Sequence, residues 1–276
     1  MSPVKAFEYA GRRLAYMDEG SGAPLVLVHA FPLHAGMWAP QLRAIPAGWR
    51  VLAPDLSGFH RSPRSDAAPA RHVRDHAADV LALIEAAAGG APAVVAGLSM
   101  GGYIAFECWR QRPSRVRGLV LADTRADGDT EEAQARRRTM QATAREEGAG
   151  AVADAMVQGL LGATTQTTNP HLATEVRAMV EASTPAGIVD ALEALRTRPD
   201  SRPTLASIDC PTLVIVGEED AVTPPALART IADGVRDATL VTIPQAGHLS
   251  SLEHPVAFSD ALARWLAREF GDGSPR

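Results

Sequence analysis

Ala93-Val94-Val95-Ala96-Gly97-Leu98-Ser99-Met100-Gly101-Gly102-Tyr103-Ile104-Ala105-Phe106 is the stretch that decides the fold. An apolar run leads into Gly97-Leu98-Ser99-Met100-Gly101, and a small, glycine-bearing helical pattern leads out of it. That is the strand, tight turn and helix that a nucleophile elbow requires. In such an elbow the serine sits in strained backbone with its hydroxyl pushed clear of the main chain. The positions on either side of it pack so closely that a side chain there would collide, hence glycine at 97 and 101. Glycine and serine are common, so the short pattern says little by itself. Its place after a strand and before a helix carries the reading.

Working outward, short β-rich runs alternate with longer helical patterns. Leu25 to His29, Val51 to Ala53, Ala93 to Ala96, Gly118 to Leu121, Thr212 to Val216 and Leu240 to Ile243 read as strands. Their near-continuous apolar character suits strands covered on both faces, as in a parallel sheet. His72 to Ala88, Met100 to Gln111, Pro224 to Asp233 and Pro255 to Phe270 read as helices, the last two opening on a proline suited to a first helical turn. Phe7 to Tyr16 can supply an initial antiparallel hairpin. The alternation predicts an α/β fold with a doubly wound, mostly parallel sheet.

From Thr130 to about Arg198 the alternation stops. That region has no convincing strand, only Ala-, Arg- and Glu-rich helical pattern broken by Gly148, Gly159, Gly162, Pro170 and Pro185. It reads as an all-helical cap inserted after the sixth strand, residues 126–199, between core segments 1–125 and 200–276. A lid over an active site belongs at that carboxyl edge of the sheet. The tail Gly271 to Arg276 reads as disordered.

Composition narrows the function classes. A chain of 276 residues, 46% hydrophobic and 21% charged, is ordinary for a globular protein. A net charge of −5 leaves no electrostatic footprint for nucleic acid or an anionic membrane. The dense basic cluster Arg136-Arg137-Arg138 follows Glu131 and Glu132, which suits a solvated helix face. No apolar run approaches a membrane span, and the charged Met1 to Gly20 lacks the apolar core of a signal peptide. Cys108 and Cys210 are too few for a disulfide framework or a Cys-rich zinc site. Buried thiols in a cytoplasmic enzyme are the expectation.

A serine hydroxyl needs a base to take its proton, and the base needs an orienting acid. Of eight histidines, His248 follows the strand Leu240 to Ile243, in the loop Pro244-Gln245-Ala246-Gly247-His248, just before a terminal helix. That puts it on the same sheet edge as Ser99. For the acid, Asp220 follows the strand ending at Val216, and the order Ser, Asp, His matches this architecture. Asp123, after the strand Leu119 to Leu121, is the main rival, and Glu219 could substitute for its neighbour. An oxyanion needs two backbone N–H donors fixed in advance. Met100, at a helix N-terminus, and Phe31, in the loop Ala30-Phe31-Pro32, are the candidates, since Pro32 has no N–H.

Other residues are weighed against plainer roles. His72 and His76 stand at i, i+4, but Val73 occupies the place of a metalloprotease glutamate, so a solvated face with Asp75 and Asp79 is expected, not a metal site. Gly20-Ser21-Gly22 reads as a hairpin turn, not a phosphate cradle. Arg125 could bind a substrate carboxylate or form a surface salt bridge. Trp38 and Met37 could line the pocket or pack in the core.

The chain resembles a serine hydrolase of the α/β-hydrolase superfamily with a helical cap. His29-Ala30-Phe31-Pro32 is similar to a His-Gly-Phe-Pro segment after the third strand, and Gly97 to Gly102 to a Gly-x-Ser-Met-Gly-Gly elbow. Gly217 to Asp220 and Gly247-His248 resemble the segments that carry the acid and the base. Pro54 to Ser62 resembles an Asp-Leu-Arg-Gly-x-Gly-x-Ser loop. The resemblance runs along nearly the whole chain and implies the esterase, enol-lactonase and cofactor-free perhydrolase branch. It implies a small ester or lactone substrate, a Ser99–His248–Asp220 triad and neither metal nor organic cofactor. A hydrolase-like ligand receptor is the alternative of another kind, and the oligomeric state stays open. Ala30 stands where the family has glycine, and Ser57 and His60 stand where it has arginine and glycine. Serine at position 99, in place of aspartate, argues against dehalogenase and epoxide hydrolase chemistry.

Overall fold

The computed structural model describes residues 4–271. Eight strands form one sheet: β1 Val4–Tyr9, β2 Arg12–Gly20, β3 Ala23–Val28, β4 Trp49–Pro54, β5 Ala93–Leu98, β6 Val116–Ala122, β7 Thr212–Gly217 and β8 Ala238–Ile243. Their order is β1-β2-β4-β3-β5-β6-β7-β8. Only β2 runs against the direction of the other strands, pairing β1 in the expected hairpin and β4 on its other side. From β4 to β8 every pairing is parallel. The apolar strands β3, β5, β6 and β7 are buried almost throughout, as a sheet covered on both faces requires.

The covering helices include α1 Ala39–Arg43, α2 Val73–Ala88 and α3 Met100–Gln111. The helical insertion between β6 and β7 comprises α4 Glu131–Glu146, α5 Ala149–Leu160, α6 Ala163–Thr168, α7 His171–Glu181 and α8 Pro185–Arg196. After it come α9 Arg202–Leu205, α10 Pro225–Gly234, α11 Ser250–Glu253 and α12 Pro255–Phe270. Helix α2 packs on α3, and α1 on α12. Pro185 and Pro255 occupy first turns, where the missing N–H has no helical partner to lose.

The order of the strands reverses between β3 and β5, so their carboxyl ends flank a crevice. In open α/β sheets that switch point is where ligands bind. Ser99 leaves β5 on one side of the crevice, and His29 to Pro32 leave β3 on the other.

One expectation fails in the fold itself. The face of α2 carrying His76 and Asp79 is not solvated. His76 is fully buried, and Asp79 forms a buried ion pair at 2.6 Å with Arg12 of β2. His72 stands outside the helix as its N-cap, and the Asp75 carboxylate accepts from the His72 N–H. Charge along the helix suggests solvent, but the partner that brings Asp79 inward lies 67 residues away in sequence. Among the basic cluster, Arg136 and Arg138 are exposed, while Arg137 turns back to pair with buried Asp129 at 2.6 Å. Both thiols are free and buried, as expected. Of the tail read as disordered, all but Gly271 lies outside the described residues.

Candidate active site

Ser99 connects β5 to α3 with φ 55° and ψ −110°, a conformation L-residues rarely adopt. The surroundings enforce it. A Cβ on Gly97 would lie 2.0 Å from the Gly101 carbonyl oxygen, and one on Gly101 would lie 2.2 Å from that of Val28. The turn is therefore wedged between α3 and β3, and the hydroxyl faces out at the sheet edge. Thr124, two residues past the end of β6, braces it, its Oγ1 donating to the Ser99 carbonyl at 2.8 Å.

The Ser99 hydroxyl donates to His248 Nε2 at 2.8 Å, and His248 Nδ1–H donates to Asp220 Oδ2 at 2.9 Å. His248 is almost fully buried, as is Asp220. Burial alone would push the imidazole pKa down. The charge and hydrogen bond of Asp220 outweigh it, and the net shift is up. Burial likewise opposes ionisation of Asp220, but His248 and the Thr223 hydrogen bonds win, and its pKa falls below the ordinary carboxylate value. Asp220 also accepts from the N–H groups of Val222 and Thr223 and from Thr223 Oγ1, at 2.8, 2.9 and 2.6 Å. Thr223 escaped the sequence reading, although Asp220-Ala221-Val222-Thr223 has the spacing of a side-chain-capped turn.

Asp123, the rival acid, is fully buried at the end of β6 with φ 44°. It does not hydrogen-bond His248. Its Oδ1 accepts from the Gly217 N–H at 2.8 Å, and its Oδ2 from Ser250 Oγ at 2.5 Å and Ser250 N–H at 3.3 Å. Burial first, then the charge of Asp220, push its pKa up to about 8. Glu219 faces the helical insertion instead, accepting from Thr164 N–H at 2.8 Å and Thr164 Oγ1 at 2.5 Å.

The β3 loop is equally well fixed. His29 is buried as a neutral tautomer, with Nδ1–H donating to Ala30 O at 2.9 Å and Nε2 accepting from Leu56 N–H at 3.0 Å. Burial holds its pKa down at about 4. Met37 sulfur accepts from the Ala30 N–H at 3.2 Å. Among the described residues, neither the Phe31 nor the Met100 N–H has a protein acceptor outside regular helix or strand bonding. Trp38 is not a pocket wall: its ring is fully buried, 5.9 Å from that of Phe258 in the core. Arg125 is committed to Asp127, its Nε donating at 2.8 Å, which is the salt-bridge reading.

Three groups away from Ser99, His248 and Asp220 also converge. His34, Asp55 and His60 hold donor atoms within 4.8 Å of one another, and the two rings stack at 4.1 Å. Hydrogen bonds tie the loops that carry them, His60 Nδ1 facing Asp55 Oδ2 at 3.2 Å. His34 Nδ1 accepts from Gly36 N–H at 3.0 Å, which leaves the proton on Nε2, and Asp55 accepts from Ala35 N–H at 2.9 Å. Such a histidine offers a donor outward, not a metal ligand. His60 has φ 45°, which accounts for the glycine the resemblance expects there.

The insertion meets the site directly. His248 N–H donates to Leu160 O at 3.1 Å, and Glu253 Oε2 accepts from Gly162 N–H at 2.8 Å. On the far side, buried Asp190 of α8 pairs with Arg64 at 2.6 Å and Arg71 at 2.9 Å.

A fold of this topology with an elbow serine, histidine and aspartate in hydrogen-bonded series defines the hydrolases built on an α/β sheet. Residues 23–255 match the model of the alpha/beta hydrolase fold family, and the chain belongs to that family. It is 31% identical over 265 residues to the pimeloyl-(acyl-carrier protein) methyl ester esterase of Chromobacterium violaceum, covering 90% of this chain and 95% of that protein. A thermophilic esterase from Thermogutta terrifontis superposes with a TM-score of 0.89 at 36% identity, covering 93% of this chain and 94% of the other. The enol-lactonase from Burkholderia xenovorans superposes with a TM-score of 0.86 at 28% identity, covering 95% and 100%. Among the described residues, no helix is long and apolar enough to cross a membrane.

Proposed function

We propose that this protein is a serine hydrolase of carboxylic esters or lactones, working through an acyl-enzyme on the triad Ser99, His248 and Asp220. The observation that carries the reading is the unbroken series from Ser99 Oγ to His248 Nε2 at 2.8 Å and from His248 Nδ1 to Asp220 at 2.9 Å. His248 takes the Ser99 proton as Oγ attacks the acyl carbon, and then gives it to the leaving alkoxide. Water then attacks the acyl carbon, losing a proton to His248, which returns it to Ser99 Oγ as the acyl–oxygen bond breaks and the acid leaves. Asp220 holds the proton on Nδ1, so that Nε2 presents its lone pair to the nucleophile.

The Phe31 and Met100 N–H groups serve as the oxyanion hole; neither is spent on another loop or turn acceptor among the described residues. Such donors stabilise charge that appears only in the transition state. This chemistry requires no metal or organic cofactor. Residues 126–199 act as the cap, and their contacts with His248 and Glu219 support a role in shaping the pocket. The buried free thiols support a reducing, cytoplasmic setting.

The test is turnover of p-nitrophenyl acetate by wild type and Ser99→Ala. The expected loss is at least about 10³-fold in kcat with the fold intact by circular dichroism. Retention of turnover in the variant overturns the assignment.

A further inference from the structure

Asp123 lost the role of triad acid, yet it is a fully buried carboxyl in left-handed backbone, with hydrogen bonds to two other catalytic segments. Its Oδ1 holds the N–H of Gly217, three residues before Asp220. Its Oδ2 holds the backbone and hydroxyl of Ser250, two residues after His248. The following residue, Thr124, holds the carbonyl of Ser99 itself. The Asp123 N–H donates to Ile215 O at 2.8 Å, and the Ser99 N–H to Ala122 O at 2.9 Å, so the carboxyl's own backbone is fixed to the same sheet edge.

Two segments from two strands thus meet on one side chain, and the residues flanking it, Ala122 and Thr124, hold the backbone of Ser99 from a third. The two clamped segments carry Asp220 and His248, the third carries Ser99, and no two of them are close in sequence. Resting on the ester-hydrolase reading above, we propose that Asp123 is a positioning residue for the reaction: its carboxyl clamps the Asp220 loop and the His248 loop into register with the strand that braces Ser99. A loop slip of about 1 Å at such a site costs about 10²-fold in rate. A left-handed aspartate persists only where surrounding bonds over-determine it, as they do here.

The clamp is electrically asymmetric. The ionisable groups acting on it are Asp220 from the β7 loop and His248 from the segment after β8. Burial, then the charge of Asp220, push the Asp123 pKa up to about 8. Above that pH its ionisation adds a second negative charge beside the imidazole, which favours the imidazolium formed during attack.

The experiment compares wild type, Asp123→Ala, Asp123→Asn and Ser250→Ala, each checked by circular dichroism and thermal melting. Asp123→Ala should lose about 10²-fold in kcat, with KM changed less than about threefold. Asp123→Asn keeps an acceptor for Gly217 and a polar partner for Ser250, and should recover at least about tenfold of that loss. The ratio of wild-type to Asp123→Asn kcat should then climb as pH passes about 8, the point where only the wild type gains charge. Should Asp123→Ala fail to fold, Ser250→Ala removes one arm of the clamp and should lower kcat by about tenfold at constant KM. Wild-type kcat in Asp123→Ala overturns the proposal, or in Ser250→Ala where the former does not fold. So does an Asp123→Asn variant as impaired as Asp123→Ala at every pH. Sulfonylation of Ser99 by phenylmethanesulfonyl fluoride gives the same comparison without an ester. If no ester is turned over, the hydrolase reading fails while the rates of Ser99 modification still decide the role of Asp123.

Discussion

Gly97→Ala is the sharpest perturbation of the elbow, because it adds one methyl group and touches none of the reacting atoms. The new Cβ would stand 2.0 Å from Gly101 O, 2.1 Å from Gly101 C and 2.6 Å from Gly102 N, all backbone of the first turn of α3. Ordinary contact begins near 3.4 Å, so strand and helix must part by about 1.4 Å. Neither side can yield cheaply. Gly101 is already pressed on Val28 O, and Gly102 on the Thr124 side chain. Overpacking of this kind costs about 1–3 kcal/mol of stability. The larger effect falls on Ser99, which sits between the two clashing glycines. A displacement of about 1 Å from His248 Nε2 should reduce kcat about 10²-fold, with KM little changed. The assay is p-nitrophenyl acetate hydrolysis beside urea unfolding. Gly159→Ala is the control, since nothing lies within 4 Å of its added Cβ in the exposed face of α5. It should gain about 0.5–1 kcal/mol of helix stability without a change in rate. A Gly97→Ala protein turning over within about threefold of wild type would refute the claim that close backbone packing sets the serine.

Two further outcomes follow from buried charge. Asp79→Ala strands the Arg12 guanidinium, whose side chain is 9% exposed, and should cost about 3–5 kcal/mol in urea unfolding, whereas Arg12→Met combined with Asp79→Leu should recover most of it. The free-enzyme pKa of His248 is raised, so as pH falls through it the imidazole gains a proton and the base is lost. The acid limb of kcat/KM should therefore have its midpoint above the ordinary imidazole value of 6.5, and Asp220→Asn should move it lower. A wild-type midpoint below 6.5 would contradict the ion-pair account.

The parts of the fold that were legible in the sequence are those whose physics is local. Gly97 to Gly102 announces its turn because the clash it avoids lies within the same few residues. Strands β3, β5, β6 and β7 are legible because both of their faces are buried, which leaves continuous apolar runs. His248 could be picked from the histidines because a strand end, a glycine and a following helix place it. The illegible parts depend on partners far away in sequence. His76 and Asp79 read as a wet helix face until Arg12 is seen beneath them. Trp38 read equally well as pocket or core because a tryptophan's neighbours decide the matter, and Phe258 is 220 positions further on. Asp123 and Asp220 both follow strands of the same edge, and only the third dimension separates the one that meets His248 from the one that meets Ser250.

The junction between cap and base follows from the same reasoning and extends it to specificity. Gly162, between α5 and α6, lies against Gly247, the residue before His248. A Cβ on Gly247 would meet Gly162 N at 2.1 Å and Leu161 C at 2.7 Å. The His248 N–H is bonded to Leu160 O, so the backbone of the helical insertion, the proposed cap, is a structural partner of the proposed base. A change in cap position should then appear in the chemical step as well as in substrate affinity. Gly247→Ala must push α5 and α6 away or drag the imidazole with its loop. In either case Nε2 loses its 2.8 Å alignment with Ser99. The expected result is a fall in kcat of about 10²-fold, with faster amide exchange across residues 160–168. A cap that merely covers the site would instead raise KM and leave kcat in place, and that outcome would separate the roof from the base.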